Sequence, residues 1–192
     1  MMEFAALKLL KSFIDGLFIG FGILLPIFCL IKTVNLKTLH LKELFILTAV
    51  QTIRISGIVY ALLHLPDLYR TYFVQTGYEQ TTVVGDLMPR QILLFRFYPP
   101  LAYLVFTQLL WIKKLYLHKA ILIVFSILLL TVPLWFQISA MLRLSEADYI
   151  GPNWLAIWVN ILKYALQDTL LFFFTISILL LISGKLKPLK TA

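Results

Sequence analysis

Apolar residues fill five long stretches of the chain, and polar segments of varying length separate them. A helix rises about 1.5 Å per residue, so about 20 residues are needed to cross the hydrocarbon core of a bilayer. Each stretch is close to that length. The pattern therefore predicts an all-α polytopic integral membrane protein: a single domain formed by a bundle of five transmembrane helices. The predicted spans are residues 12–31, 44–64, 91–112, 120–138 and 160–182.

The first span combines apolar residues with closely spaced glycines. Gly16 and Gly20 are four residues apart, and Gly22 follows closely. Small residues at this spacing lie on one helix face and allow a neighbouring helix to approach. We therefore assign the three glycines to helix packing. The span is too long for the apolar part of a signal peptide, and we expect it to be a retained helix.

Proline and length modify two other spans. The tandem Pro99-Pro100 removes two backbone donors and disfavours helix at Tyr98, so a kink or a break is predicted there. The last apolar stretch, 154–182, is longer than a bilayer requires, and its membrane-embedded part is predicted to begin near Lys163. Residues 65–90 and 139–153 are predicted to be polar loops on the outer side.

Composition supports the membrane class. The chain is 61% hydrophobic and 14% charged, whereas soluble domains have about 45–50% and 25%. The formal charge is +8, but the lysines lie between apolar stretches rather than in one patch, so no nucleic-acid partner is expected. Cys29 is the only cysteine and cannot form an internal disulfide.

Lysine and arginine in alternate connections predict the orientation, because cytoplasmic loops retain positive charge. The first connection, the third connection and the C-terminal tail carry nine lysines: Lys32, Lys37, Lys42, Lys113, Lys114, Lys119, Lys185, Lys187 and Lys190. The opposite side carries five basic residues: Lys8, Lys11, Arg70, Arg90 and Arg143. We therefore expect an outer N-terminus and a cytoplasmic C-terminus, in the plasma membrane of a bacterium.

A charged residue lies near the middle of the second span. Arg54 cannot lose its charge, and placing an arginine at the centre of a membrane helix costs about 2.5–3.5 kcal/mol. Acidic or polar groups on a neighbouring helix are therefore expected to contact it. Gln51, three residues earlier, is predicted to share its face. We predict an ion pair between Arg54 and Asp168 of the last span, with Asp15 as the competing carboxylate.

Other polar residues are predicted to gather around this pair in the outer half of the membrane. Asp15 and Arg96 lie close to the outer ends of the first and third spans. The last span carries a polar stripe with Asp168 at its margin, predicted to face protein or water rather than lipid. The stripe consists of Asn160, Lys163, Tyr164 and Gln167.

Two interpretations of this cluster remain open. It is either a buried network that determines how the helices pack, or a site for a ligand or ion. Arg54, Arg96 and Lys163 exceed Asp15 and Asp168 by one positive charge. A ligand bound there is therefore expected to be anionic.

The residues that common catalytic and cofactor sites require do not occur together. His40, His64 and His118 lie in separate connections or helix ends, which argues against a metal site or haem. Phosphate-binding glycine loops, G-x-S-x-G and C-x-x-C are missing from the sequence. His64 with Asp67 is expected to be a helix-end contact rather than a catalytic pair. We expect no cofactor, and the sequence favours a protein that is not an enzyme.

The preferred function is binding, as an accessory or assembly subunit of a larger membrane complex. Its expected partners are the lipid bilayer and other membrane proteins, or a second copy of the chain. The alternative is a transporter, channel or receptor for a small anionic solute or lipid head group, bound at the polar cluster. A lipid-modifying enzyme is a third hypothesis and ranks after both.

Overall fold

The structure is a computed structural model that describes residues 2–32, 35–69, 89–146 and 154–184. Side chains are described within 5–32, 35–66, 98–133 and 158–184. The described residues form six helices and no strand, so the prediction of an all-α protein is confirmed. The helices are α1 (Met2–Leu30), α2 (Leu36–Tyr69), α3 (Pro89–Leu109), α4 (Lys113–Leu117), α5 (Lys119–Glu146) and α6 (Trp154–Ile182).

The helices α1 and α2 are longer than the apolar stretches that predicted them. The chain is already helical from Met2, since alanine, leucine and lysine are good helix formers and no breaker precedes the apolar stretch. The start of α2 is set by Asn35, whose side-chain Oδ1 accepts a hydrogen bond of 3.0 Å from the backbone N–H of Lys37. Most of the lysine-rich first connection is therefore helix rather than loop.

Helix α3 continues through Pro99-Pro100 as far as Leu109, although the sequence predicted a kink or a break. A helix can accommodate these prolines at the cost of the backbone hydrogen bonds they cannot donate. Its first residue is Pro89, a position where proline loses no helical hydrogen bond. The third connection, which carries Lys113, Lys114 and Lys119, contains the five-residue helix α4, and the extended residue His118 separates α4 from α5.

The ends of α5 and α6 also differ from the predicted spans. Helix α5 extends to Glu146 and includes part of the predicted outer loop 139–153. The rest of that loop, and most of loop 65–90, lies outside the described residues. Helix α6 ends at Ile182, and Gly184 follows with a φ of 63°, a left-handed conformation that favours glycine.

The first helix lies at the centre of the bundle and packs on α2, α5 and α6. Its Phe18, Phe21 and Leu25 are fully buried, as are Phe172 and Ile176 of α6. The rings of Phe21 and Phe172 meet edge to face, with centroids 6.0 Å apart. Aromatic packing between α1 and α6 therefore forms a large part of the core.

Three helices in the described part of the chain are long and apolar enough to cross a membrane. They are Ala5–Leu30, Leu36–Pro66 and Trp158–Ile182. They coincide with the first, second and fifth predicted spans, and they support a helical membrane protein. They differ in burial: 50% of the most apolar window of α1 is buried, but only 17% of that of α6. Helix α6 therefore presents most of its surface outward.

Candidate functional site

Arg54 contacts the segment that follows α3. Its side chain is only 7% exposed, and its Nη2 donates a hydrogen bond to the carbonyl oxygen of Leu110. Its Cζ lies 5.0 Å from the ring centroid of Trp111 and 4.5 Å from that of Tyr116. The guanidinium is therefore enclosed by a backbone carbonyl and two aromatic rings.

This environment stabilises a cation without a carboxylate. The last carbonyls of a helix have no helical partner, and the C-terminal end carries a partial negative charge. Leu110 lies just beyond the end of α3, and Arg54 is its hydrogen-bond donor. The faces of the Trp111 and Tyr116 rings add cation–π attraction. Nε of Arg54 has no hydrogen-bond partner among the described residues.

A glycine that sequence reasoning did not single out allows this contact. A Cβ at Gly57 would overlap the side chain of Thr107, so α2 and α3 approach closely at that point. Gln108, next to Thr107, donates from its Nε2 to the carbonyl oxygen of Arg54 at 3.3 Å. The sequence spacing could have indicated this close approach, because Gly57 is three residues after Arg54 and therefore lies near the same face of α2.

The predicted ion pair between Arg54 and Asp168 is not formed between these two described side chains. Arg54 extends toward the C-terminal end of α3, whereas Asp168 lies against α1. A Cβ at Gly16 would be 2.9 Å from Oδ1 of Asp168. The prediction considered only side chains as partners of the arginine and omitted backbone carbonyls.

Asp15 belongs to a second polar group, on α1 and α2. The Tyr60 hydroxyl is its side-chain hydrogen-bond partner, and the Asp168 carboxylate is close enough to repel it electrostatically. Tyr103 of α3 lies beside them: its ring meets that of Tyr60 edge to face at 5.1 Å and stacks on Phe18 at 4.0 Å. Asp15 and Asp168 are thus close enough to interact electrostatically, whereas the guanidinium of Arg54 lies at the end of α3.

The polar stripe on α6 lies on the outer surface of the bundle. Its four residues, Asn160, Lys163, Tyr164 and Gln167, are all exposed. Gln51 on α2 is also exposed, although it was predicted to share the face of the buried Arg54. The side chain of Arg96 lies outside the described residues. The described basic residues of the predicted cluster therefore do not converge on the two carboxylates.

The three glycines assigned to helix packing lie at close helix contacts. Gly16 and Gly20 face α6, and a Cβ at Gly20 would be 2.7 Å from the carbonyl oxygen of Asp168 and would overlap Phe172. Gly22 faces α5, where a Cβ would be 2.9 Å from Cβ of Leu130. These glycines allow α1 to contact two neighbours at once.

A lysine near the start of α2 makes a contact similar to that of Arg54, which lies near the middle of the helix. Lys42 is 7% exposed, and its Nζ donates a hydrogen bond to the carbonyl oxygen of Ile31, just after the end of α1. It lines a cavity of about 520 Å³ between the ends of α1 and α6 and the start of α2. Two cations of α2 therefore bind the C-terminal ends of two neighbouring helices.

Comparisons with known proteins do not assign a family to the chain. No protein-family model matches it, and no curated protein and no solved structure shows significant similarity to it.

Proposed function

We propose that this protein acts by binding within the membrane, as an accessory or assembly subunit of a larger membrane complex. The exposed face of α6 is the proposed contact surface. The single observation that carries the proposal is the position of the polar stripe, Asn160, Lys163, Tyr164 and Gln167, on the surface of a helix long and apolar enough to span the bilayer.

The depth of the stripe makes lipid a poor neighbour for part of it. A span of about 20 residues that ends at Ile182 would begin at Lys163. Asn160 and Lys163 would then lie at the membrane surface, and Gln167 about one turn inside. An amide exposed to hydrocarbon is costly, whereas a polar side chain on a partner helix can bond to it. A partner membrane protein would supply that group.

The same face continues as an apolar surface. Phe174 and Ile178 follow Gln167 at helical spacing and are 59% and 53% exposed. They lie opposite Phe172 and Ile176, which are buried against the rest of the bundle. The surface therefore has one polar end and one aromatic and aliphatic end, which suits a helix of a partner protein rather than a small solute.

For the topology we propose five crossings, made by α1, α2, α3, α5 and α6, with the N-terminus outside and the C-terminus in the cytoplasm. Helix α3 has 21 residues and α5 has 28, enough to cross by length. The nine lysines against five basic residues in alternate connections support the orientation. A bacterial plasma membrane remains a prediction from the sequence.

The solute-binding alternative required Arg54, Arg96, Lys163 and Asp168 to form one outward cluster. Arg54 is instead enclosed at the end of α3, and Lys163 is exposed on α6. The described part of the chain therefore does not assemble the basic site on which an anionic solute was expected to bind. We do not propose transport as a second function.

The experiment is purification of the tagged protein in a mild detergent, followed by identification of every protein retained in fixed ratio. The test variant is Tyr164→Leu combined with Gln167→Leu. The control is Gln51→Leu, a similar change on the exposed surface of α2. Interhelical hydrogen bonds are worth about 0.6 kcal/mol each, so we expect the double variant to weaken partner binding about fivefold to tenfold.

The control variant is expected to retain the partner as well as the unchanged protein does. Two results would contradict the proposal. One is a purified protein that carries no other membrane protein in fixed ratio. The other is a partner that both the double variant and the control retain equally.

A further inference from the structure

The cavity beside Lys42 has the properties of a ligand site rather than of a packing defect. Its volume is about 520 Å³, within the range of about 300–1,000 Å³ typical of small-molecule sites. Its lining is almost entirely apolar and includes Phe28, Phe45, Phe173 and Leu180, and the polar residues at its wall are Thr38, Lys42 and Ser177. Apolar walls with a few fixed polar groups are typical of a site that orients an amphipathic molecule.

Lys42 supplies a cation with unused bonding capacity. An ammonium group has three donors, and one of them is used by the carbonyl oxygen of Ile31. No carboxylate among the described residues forms an ion pair with Lys42, and its neighbour Glu43 is exposed on the surface of α2. A nearly buried cation of this kind favours an anionic partner.

The surroundings of this cavity are basic. Lys32, just after the end of α1, and Lys37, in the first turn of α2, are both exposed. Cys29 lies in the last turn of α1, and the charges of both Lys42 and Lys119 act on its thiol. Lys119, at the start of α5, is therefore also close to this end of α1. Positive charge therefore surrounds the polar end of an apolar cavity.

The cavity is open to the side of the bundle. Leu41 and Leu181 line it and are 46% and 66% exposed. Both belong to helices that are long and apolar enough to span the membrane. An acyl chain could therefore enter from the surrounding lipid without passing through water.

We infer that this cavity, bounded by α1, α2 and α6, binds an anionic phospholipid. The phosphate group accepts hydrogen bonds from the ammonium of Lys42. One acyl chain lies along Phe28, Phe45 and Phe173. Basic pockets between membrane helices at the cytoplasmic side are known to bind anionic head groups, and the apolar wall adds affinity for the chain.

The test compares phosphatidylglycerol with phosphatidylcholine of the same acyl chains, added to the protein in detergent micelles. Native mass spectrometry counts the bound lipids, and thermal unfolding measures the stabilisation each lipid gives. We expect phosphatidylglycerol to bind at least about tenfold more tightly. Both lipids offer a phosphate to Lys42, but only phosphatidylcholine also places a cationic choline close to that lysine, and like charges repel.

Two variants locate the site, and one controls for general attraction between charges. Lys42→Gln should remove the preference for phosphatidylglycerol, whereas Lys113→Gln, an exposed lysine on α4, should leave it unchanged. Ser177→Phe keeps Lys42 in place and fills the cavity, so it should weaken binding of both lipids. It remains informative if Lys42→Gln does not fold.

Four results would overturn the inference. The first is equal binding of the two lipids by the unchanged protein. The second is an equal loss of preference in Lys42→Gln and Lys113→Gln. The third is binding of phosphatidylglycerol that Ser177→Phe leaves unaltered. Displacement of the bound lipid by inorganic phosphate at the same concentration would also contradict it, because the apolar wall would then contribute nothing.

Discussion

Arg54 is predicted to be energetically coupled to Trp111 and uncoupled from Asp168. The perturbation is a pair of double-mutant cycles that share Arg54→Leu. One cycle combines it with Trp111→Leu and the other with Asp168→Leu. Arg54 lies 5.0 Å from the ring centroid of Trp111, whereas Asp168 lies against Gly16 on α1.

The magnitudes follow from the contacts of the guanidinium. A hydrogen bond to a charged group is worth about 1.5–3 kcal/mol, and each cation–π contact about 0.5–2 kcal/mol. These contributions are opposed by the cost of placing an arginine near the centre of a membrane helix, about 2.5–3.5 kcal/mol. At the midpoints of these ranges the contacts exceed the cost by about 2 kcal/mol, so Arg54→Leu should lower the free energy of unfolding by about that amount.

Two arrangements are compared: Arg54 bound at the end of α3, and Arg54 paired with Asp168. The coupling energies distinguish them more sharply than the stability of Arg54→Leu alone does. Because Trp111 is 56% exposed, its coupling to Arg54 should be at the lower end, about 0.5–1 kcal/mol. Residues without a shared contact give additive effects within about 0.3–0.5 kcal/mol, which is the expectation for Arg54 and Asp168. A buried ion pair would behave differently, because removing one partner costs about 3–5 kcal/mol.

The assay is equilibrium unfolding in mild detergent micelles, and the circular dichroism of the helices monitors the transition. Binding of the retained partner or lipid is measured alongside, so that a loss of structure is not mistaken for a loss of function. A coupling above about 1.5 kcal/mol between Arg54 and Asp168, or a double variant clearly more stable than both single variants, would refute the assignment of Arg54 to the end of α3.

Three further substitutions probe local contacts, each by the same unfolding assay. Gly57→Ala should lower stability by about 1–3 kcal/mol because its methyl group overlaps Thr107; a neutral effect would mean that α2 and α3 are not in close contact there. Gly20→Ala should cost a similar amount against Phe172, and stability equal to that of the unchanged protein would argue against the α1–α6 contact. Asn35→Ala should cost about 1 kcal/mol through loss of the cap of α2, which Asn35→Asp should restore.

Much of the fold could be predicted from the sequence because apolar length is a strong signal for a membrane helix. The centres of α1, α2 and α6 lie within predicted spans. The helix ends could not be predicted in this way, because they depend on local bonding rather than on apolarity. Asn35 caps α2 nine residues before the apolar stretch begins at Leu44.

The candidate site was predicted less well, for a specific physical reason. Sequence patterns show which side chains are charged, but they do not show which backbone carbonyls a helix end leaves available. Arg54 was therefore assigned to the carboxylate of Asp168, whereas its partner is the carbonyl oxygen of Leu110. The proximity of Asp15 and Asp168 was expected from their depth in the bundle, and the contact of Gly16 with Asp168 is consistent with it.

The contacts of Lys42 and Arg54 explain how one helix can carry two cations into an apolar bundle. Each binds a carbonyl just beyond the end of a neighbouring helix, Ile31 after α1 and Leu110 after α3. Both helix ends carry partial negative charge, so each contact compensates part of the cost of burying the cation. Lys42 differs from Arg54 because it lines an open cavity, whereas the ring faces of Trp111 and Tyr116 cover the guanidinium of Arg54. Of the two cations, Lys42 is therefore the one that can accept an external anion, and Arg54 is the one that holds helices together.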